Sequence, residues 1–146
     1  MRKIDDKLLV GSLEECGLPD LKIDALSIRV DTGAKTSSLH VDNIEEFERD
    51  GELWVSFDIH PDIHSVTTIV KREAKVKGQR QIKSSNATRQ KRCVIDTRIQ
   101  LGDKEWTIEL TLTDRSEMSY LMLLGRQAME GRLIVDPEKE YLLKQD

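Results

Sequence analysis

Short alternations of apolar and polar residues dominate the chain. Ile23 to Val30 reads as a strand with Ile28 and Val30 on one face, and it ends at Asp31. Leu53-Trp54-Val55-Ser56-Phe57-Asp58-Ile59 alternates in the same way after a turn at Asp50-Gly51. Residues 92–101 and 106–113 alternate on either side of Gly102-Asp103, which predicts a hairpin. Tyr120-Leu121-Met122-Leu123-Leu124 is an unbroken apolar run, as expected of a strand buried on both faces. The run stops at Gly125, and Arg126-Gln127-Ala128-Met129-Glu130 predicts one or two helical turns ended by Gly131. Leu133-Ile134-Val135 and Tyr141-Leu142-Leu143 flank a turn at Asp136-Pro137. Many short strands with regular turns and one short helix predict an all-β barrel or sandwich. No internal repeat, linker or low-complexity tract divides the sequence, so residues 1–146 are expected to form a single domain.

Composition narrows the class without naming a chemistry. A chain of 146 residues is long enough to bury roughly two-thirds of its unfolded surface. The formal net charge of −4 does not by itself suggest a nucleic-acid or membrane partner. Its distribution is uneven: residues 71–92 hold nine Lys or Arg and one acid, Glu73, so this window carries +8 and the remainder −12. Inside the window, Ser84-Ser85-Asn86-Ala87-Thr88 suits the tip of a hairpin. Cys16 and Cys93 lie far apart and in no metal-ligand spacing, so both are expected to be reduced thiols. The opening Met1-Arg2-Lys3-Ile4-Asp5-Asp6 puts acids where a signal peptide begins its apolar stretch. No run approaches the roughly 18 apolar residues of a membrane span. A cytoplasmic location without a membrane partner is therefore the expectation.

Candidate chemistry begins at Val30-Asp31-Thr32-Gly33-Ala34. A strand that ends in Asp-Thr-Gly holds a carboxylate at its tip. Gly33 lacks a Cβ, so a second backbone or a substrate can come close. The Thr32 hydroxyl is placed to hydrogen-bond to a symmetry mate. Amide hydrolysis by this route needs two carboxylates about one water, one as general base and one as general acid, sharing a proton. A chain with one such motif must borrow the second Asp, and a two-fold homodimer supplies it. The tripeptide alone is also an ordinary turn, since Asp and Gly are turn residues.

A second element shifts that balance. Leu123-Leu124-Gly125-Arg126 followed by a helix resembles the second signature of retroviral-type aspartic peptidases, in which that strand threads beside the catalytic turn. Cys93-Val94-Ile95-Asp96 through Leu110-Thr111-Leu112 resembles their preceding hairpin, and Ser84-Ser85-Asn86 falls where their flap tip would be. A nearer resemblance covers most of the chain. Val10-Gly11, Leu18-Pro19, residues 30–40 (VDTGAKTSSLH), Ser84-Ser85-Asn86, residues 111–115 (TLTDR), residues 122–126 (MLLGR) and Val135-Asp136-Pro137 occur in order. Together they resemble the bacterial retropepsin-like family often labelled ATP-dependent zinc proteases. Its members are associated with the ATP-grasp ligase that adds glutamates to a ribosomal protein.

The resemblance implies a closed, six-stranded acid-protease barrel with one short C-terminal helix, assembled as a homodimer. It implies an aspartic endopeptidase with Asp31, Thr32 and Gly33 at the catalytic turn. Substrate would meet Ala34 and Lys35 after the turn, and Lys83, Ser84, Ser85, Asn86 and Arg89 about the flap tip. Gly125 and Arg126 would support the site. The expected substrate is an acidic or glutamate-extended protein. The alternative is a catalytically silent module of the same fold that holds acidic tails for a partner ligase. One departure stands out: the fourth residue after the catalytic Asp, usually acidic and paired with the Arg of Gly-Arg, is Lys35 here. Arg126 must find another partner, with Asp114 and Asp136 as candidates. The segment from His40 to Lys77 is longer than its retroviral equivalent.

Other constellations carry less. His60-Pro61-Asp62-Ile63-His64 has the spacing of a helical metal pair, but Pro61 and the adjoining strand argue for a loop, and no His-Glu-x-x-His exists. No metal and no cofactor are expected, and no Gly-x-x-x-x-Gly-Lys loop is present to cradle ATP. The three histidines are expected to be ordinary surface or half-buried residues. Cys93 lies in a strand pattern and reads as core. Trp54 and Trp106 also lie in strand patterns and read as core. The basic window is either a solvated hairpin or a cationic lid that attracts an acidic peptide. It holds no aromatic residue to stack bases, which argues against nucleic acid.

Overall fold

The computed structural model describes residues 1–60, 69–83, 89–114 and 120–144. Twelve strands, one α-helical turn and two 3-10 turns (Pro19–Leu21 and Leu142–Lys144) are formed among them: β1 (Lys3–Ile4), β2 (Lys7–Val10), β3 (Leu13–Leu18), β4 (Ile23–Val30), β5 (Ser37–Arg49), β6 (Glu52–Ile59), β7 (Val70–Lys75), β8 (Gly78–Lys83), β9 (Arg89–Leu101), β10 (Lys104–Asp114), β11 (Met122–Leu124), α1 (Arg126–Met129) and β12 (Leu133–Val135). No described helix is long and apolar enough to cross a membrane.

The barrel closes through a parallel pair. Strands β10, β9, β3, β4, β11 and β5 are neighbours in that order, and β5 returns to β10 with Leu112 opposite Leu39. Closure removes the open edges that an unclosed sheet would present. Its interior is filled by the apolar set of the alternating strands: Leu26 and Ile28 of β4, Leu39 and Val41 of β5, Ile95 and Ile99 of β9, and Leu110 and Leu112 of β10. The all-β barrel with one short helix is thus as the sequence predicts.

Several local elements follow their sequence signals closely. Strand β4 has the predicted bounds, and Gly102 between β9 and β10 takes a left-handed φ of 60°. Asp50 and Gly51 both have positive φ, as a tight hairpin turn with right-handed twist requires. Two elements differ. The apolar run at 120–124 is a strand only over Met122–Leu124. Tyr141-Leu142-Leu143 is not extended; Leu142–Lys144 forms a 3-10 turn. A buried carboxylate explains that turn. Glu14 is fully buried and accepts the backbone N–H groups of Gly11 (2.8 Å), Leu142 (2.9 Å) and Leu143 (3.2 Å), fastening the C-terminal segment to the β2–β3 corner.

The long insertion is an antiparallel arm. The outer half of β5 pairs with β6, and β6 pairs with β7. One face of β6 carries Val55, Phe57 and Ile59 into the core. On the other face Phe47 lies opposite Trp54, and the Arg49 guanidinium sits 5.1 Å and 4.7 Å from their ring centres. The arm meets the β8–β9 hairpin at Glu46, whose carboxylate accepts Gln79 Nε2 (2.8 Å) and Cys93 Sγ (3.1 Å).

Candidate active site

The site is built where β11 runs between two strands. Strand β11 pairs in parallel with β4 (Leu124 opposite Val30) and antiparallel with β5 (Leu123 opposite Ser38). The turn joining β4 to β5, residues 31–36, is thereby held from below. Asp31 N–H donates to Leu124 O at 2.9 Å. Gly33 N–H donates to Asp31 Oδ1 at 2.9 Å, and Ala34 N–H to Asp31 O at 3.2 Å. One carboxylate oxygen is therefore fixed by its own turn. Thr32 and Gly33 are exposed and Asp31 is half-buried, so the carboxylate stands at the surface of a single chain. A Cβ on Gly33 would approach Asp31 Oδ1 to 3.2 Å and crowd the same oxygen.

Gly125, Arg126 and Gln127 run alongside the turn as a template. Arg126 N–H donates to Ala34 O (2.8 Å) and Gln127 N–H to Lys35 O (3.1 Å). Gly125 is pressed against Thr36: an added Cβ would lie 2.5 Å from Thr36 O and 2.6 Å from its carbonyl carbon. The Arg126 side chain does not take Asp114 or Asp136. Its Nη1 donates to Thr32 O at 3.0 Å, at the crown of the turn. The Asp136 carboxylate is engaged by Glu138 N–H instead (3.1 Å). The partner of the Arg126 guanidinium is thus a backbone carbonyl. Lys35 itself is exposed.

Beyond the turn the predicted site divides. Lys83 and Arg89 face each other as the last backbone pair of the β8–β9 hairpin; their side chains lie outside the described residues. Ser84, Ser85 and Asn86 lie outside the described residues altogether. The basic window is partly neutralised at its base. Lys75 pairs with Glu52 (2.9 Å), Lys77 with Asp96 (3.2 Å) and Glu109 (3.4 Å), and Arg80 with Glu109 (3.2 Å). Arg72 Nε donates to Leu21 O at 2.6 Å.

Neither cysteine is poised as a nucleophile. Burial pushes the Cys16 thiol up to about 12, and burial together with the Glu46 carboxylate pushes Cys93 up to about 11. His40 and His60 are more deeply placed than their sequence context predicts. His40 is 8% and His60 7% exposed, and His60 Nε2 lies 2.6 Å from Asp42 Oδ2. Burial, with Arg92 nearby, holds His40 below the usual imidazole range. His64 and the loop reading of residues 61–64 lie outside the described residues. Trp106 is core as predicted: its indole N–H donates to Ala128 O at 3.0 Å, fastening α1 behind the turn. Trp54 is half-buried on the arm.

Sequence reasoning passed over two groups beneath the turn. Ser37 Oγ accepts Gly125 N–H at 2.9 Å, and Thr111 Oγ1 donates to Ser37 O at 3.1 Å. Ser37 is 2% and Thr111 1% exposed. The available signal was a hydroxyl residue on the buried stretch of a strand, where an apolar one would serve packing better. Beside the turn opens an apolar groove of about 290 Å³, lined by Thr32, Arg126, Met129, Glu130, Leu133 and Val135.

Comparison with known proteins bears on the family and the fold. A family model described as RimB-like, retropepsin-like aspartic endopeptidase RimB, matches residues 9–146. A probable alpha-L-glutamate ligase of Shewanella pealeana is 50% identical over 139 residues, which is 95% of this chain and 30% of that protein. One of Shewanella halifaxensis is 50% identical over 141 residues (97% and 31%), and one of Parasynechococcus marenigrum 47% over 137 residues (94% and 29%). The chain spans under a third of the length of these relatives. The crystal structure of a Legionella pneumophila protein of unknown function matches with a TM-score of 0.77 at 34% identity, covering 93% of this chain and 98% of that one.

Proposed function

Because this chain belongs to the RimB-like family of retropepsin-like aspartic endopeptidases, we propose that two copies act together as a peptidase, each contributing its Asp31 to one water. One carboxylate takes a proton from the water as its oxygen attacks the peptide carbonyl carbon. The other carboxyl donates a proton to the amide nitrogen as the C–N bond breaks. Two carboxyls so close cannot both ionise, and the shared proton divides the roles of base and acid between them. The observation that carries this reading is the position of Asp31: a half-buried carboxylate in an exposed, tightly braced turn, in a chain with one Asp-Thr-Gly. The apolar groove beside Thr32 supports a second copy docking there.

The proposed substrate is an acidic or glutamate-extended protein in the cytoplasm. Similarity to longer proteins named glutamate ligases supports it, as does the +8 charge of residues 71–92. Sedimentation equilibrium should show a dimer, and incubation with a peptide library followed by mass spectrometry should show cuts in Glu-rich peptides. The pH profile should be bell-shaped, as expected where one group acts as base and another as acid. A monomer at every concentration, or a rate that climbs steadily to pH 9, would overturn the reading.

The charge of the hairpin is proposed to act on encounter and binding. Replacing Lys83 and Arg89 together with Gln should raise KM for a Glu-rich peptide and leave kcat nearly unchanged. The effect should shrink with salt, since exposed charges are screened over about 10 Å at 0.1 M. Equal losses for acidic and neutral peptides would assign the hairpin to covering the substrate, with no part in charge recognition.

A second reading is favoured by the names and lengths of the relatives. A chain that matches under a third of several glutamate ligases suits a module that holds acidic tails for a ligase. Under that reading an Asp31→Asn variant binds Glu-rich peptides as the wild type does and neither protein cuts them.

A further inference from the structure

We propose that Ser37 is a positioning residue for the Asp31 carboxylate, acting through the peptide group between Leu124 and Gly125. The inference rests on the endopeptidase reading above. Leu124 O accepts Asp31 N–H at 2.9 Å, while Gly125 N–H donates to Ser37 Oγ at 2.9 Å. These two bonds leave opposite ends of one planar peptide unit. Rotation of that plane would move both, so the Ser37 hydroxyl fixes the acceptor that holds the first residue of the catalytic turn.

Ser37 is itself held. Thr111 Oγ1 of β10 donates to Ser37 O at 3.1 Å, and Ser37 lies opposite Leu110 in the parallel pair that closes the barrel. Strands β5 and β10 and the end of β11 thus converge on one residue, and Ser37, Leu110, Thr111, Leu124 and Gly125 are all buried. Gly125 pressed against Thr36 leaves no slack for the peptide plane to settle elsewhere. The turn above is exposed at Thr32, Gly33 and Lys35, half-buried elsewhere, and braced mainly by bonds from the same template. Loss of the Ser37 contact therefore loosens the carboxylate and leaves the remote substrate contacts in place.

Three variants test this: Ser37→Ala, Ser37→Thr, which keeps the hydroxyl, and Thr111→Val, which removes the bond to Ser37 O. Per folded active site, Ser37→Ala should lower kcat about 10- to 100-fold, as misplacement of a reacting group by about 1 Å does. KM should stay within about twofold. The two limbs of the pH profile should draw together, because carboxyls held less closely couple less. Ser37→Thr should restore both features, and Thr111→Val should show a smaller loss of the same kind. A merely structural serine would reduce the amount of folded protein and leave kcat per site and the pH profile unchanged; that result overturns the proposal.

Amide hydrogen exchange reads the same contact without activity. Ser37→Ala should speed exchange at Asp31 and Gly125 at least about 10-fold over the change in the barrel strands, as local opening does, with reversal in Ser37→Thr. If no peptide is cut by the wild type and this local change appears, the endopeptidase reading falls and the control of the turn by Ser37 stands. Exchange that is unchanged, or that rises uniformly, overturns the inference.

Discussion

Asp31→Asn is expected to remove peptidase activity, by at least about 10²- to 10⁴-fold in kcat, the range that general acid–base catalysis supplies. The amide nearly matches the carboxylate in shape, and Gly33 N–H can still donate to its Oδ1 as it does now at 2.9 Å. Thermal unfolding should therefore move little, and the loss should lie in the chemical step. An amide cannot take a proton from water, and the variant homodimer carries Asn at both positions, so no carboxyl pair remains to divide the roles of base and acid. Mixing supplies a sharper form of the test. If subunits exchange freely, equal amounts of wild type and variant give only about a quarter of dimers with both carboxylates, so activity should fall as the square of the wild-type fraction. A linear fall would mean that one chain holds a complete site. A variant that cuts as fast as wild type would remove Asp31 from the mechanism.

Much of the frame around Asp31 is legible in the sequence because it is built from local signals. The alternation from Ile23 to Val30 gives β4 its bounds, and the Gly102-Asp103 turn joins β9 to β10. The apolar run into Gly125 marks β11, although only Met122–Leu124 are extended. What is not legible depends on contacts distant in sequence. Strand β5 runs through Asp42-Asn43-Ile44-Glu45-Glu46-Phe47-Glu48-Arg49, whose charges hide the strand because its outer half faces solvent. The parallel pairing of β5 with β10 closes the barrel, yet nothing local in either segment specifies its partner.

The same division runs through the site itself. Asp31, Thr32, Gly33, Gly125 and Arg126 are visible as motifs, and the structure brings them together. The acceptor of Arg126 is a backbone carbonyl, which no side-chain reading could choose over Asp114 or Asp136. Ser37 appears within the run after the turn, but its partner is the backbone N–H of Gly125, 88 positions away and just past the end of β11. Glu14 is similar: one acid among many, distinguished only by three N–H donors that converge on it in a buried corner. Buried polar groups declare themselves through geometry, and geometry is what the pattern of hydrophobic positions leaves open.

Gly125→Ala is expected to be among the most damaging single substitutions in the protein. Gly125 has φ −96° and ψ 175°, a conformation that any residue adopts, so its need for glycine is not conformational. The need is steric. A Cβ would lie 2.5 Å from Thr36 O, 2.6 Å from Thr36 C and 2.9 Å from Thr36 N, and all three are backbone atoms that no rotamer change can withdraw. Relief requires β11 to part from the turn. That would strain the bonds from Arg126 N–H to Ala34 O, from Gln127 N–H to Lys35 O and from Asp31 N–H to Leu124 O. Overpacking commonly costs about 1–3 kcal/mol and occasionally more, and a clash between two backbones belongs at the upper end. Urea unfolding should show that loss. Activity should fall further than stability alone predicts, by about 10²-fold per folded site, because the displaced turn is the one that aims Asp31. Gly131→Ala is a control for substitution of a nearby glycine: no atom lies within 4 Å of its added Cβ, and its cost should be only that of a positive φ, 76°. If Gly125→Ala unfolds no more easily than Gly131→Ala and keeps its rate, β11 and the Asp31 turn are not locked together as described.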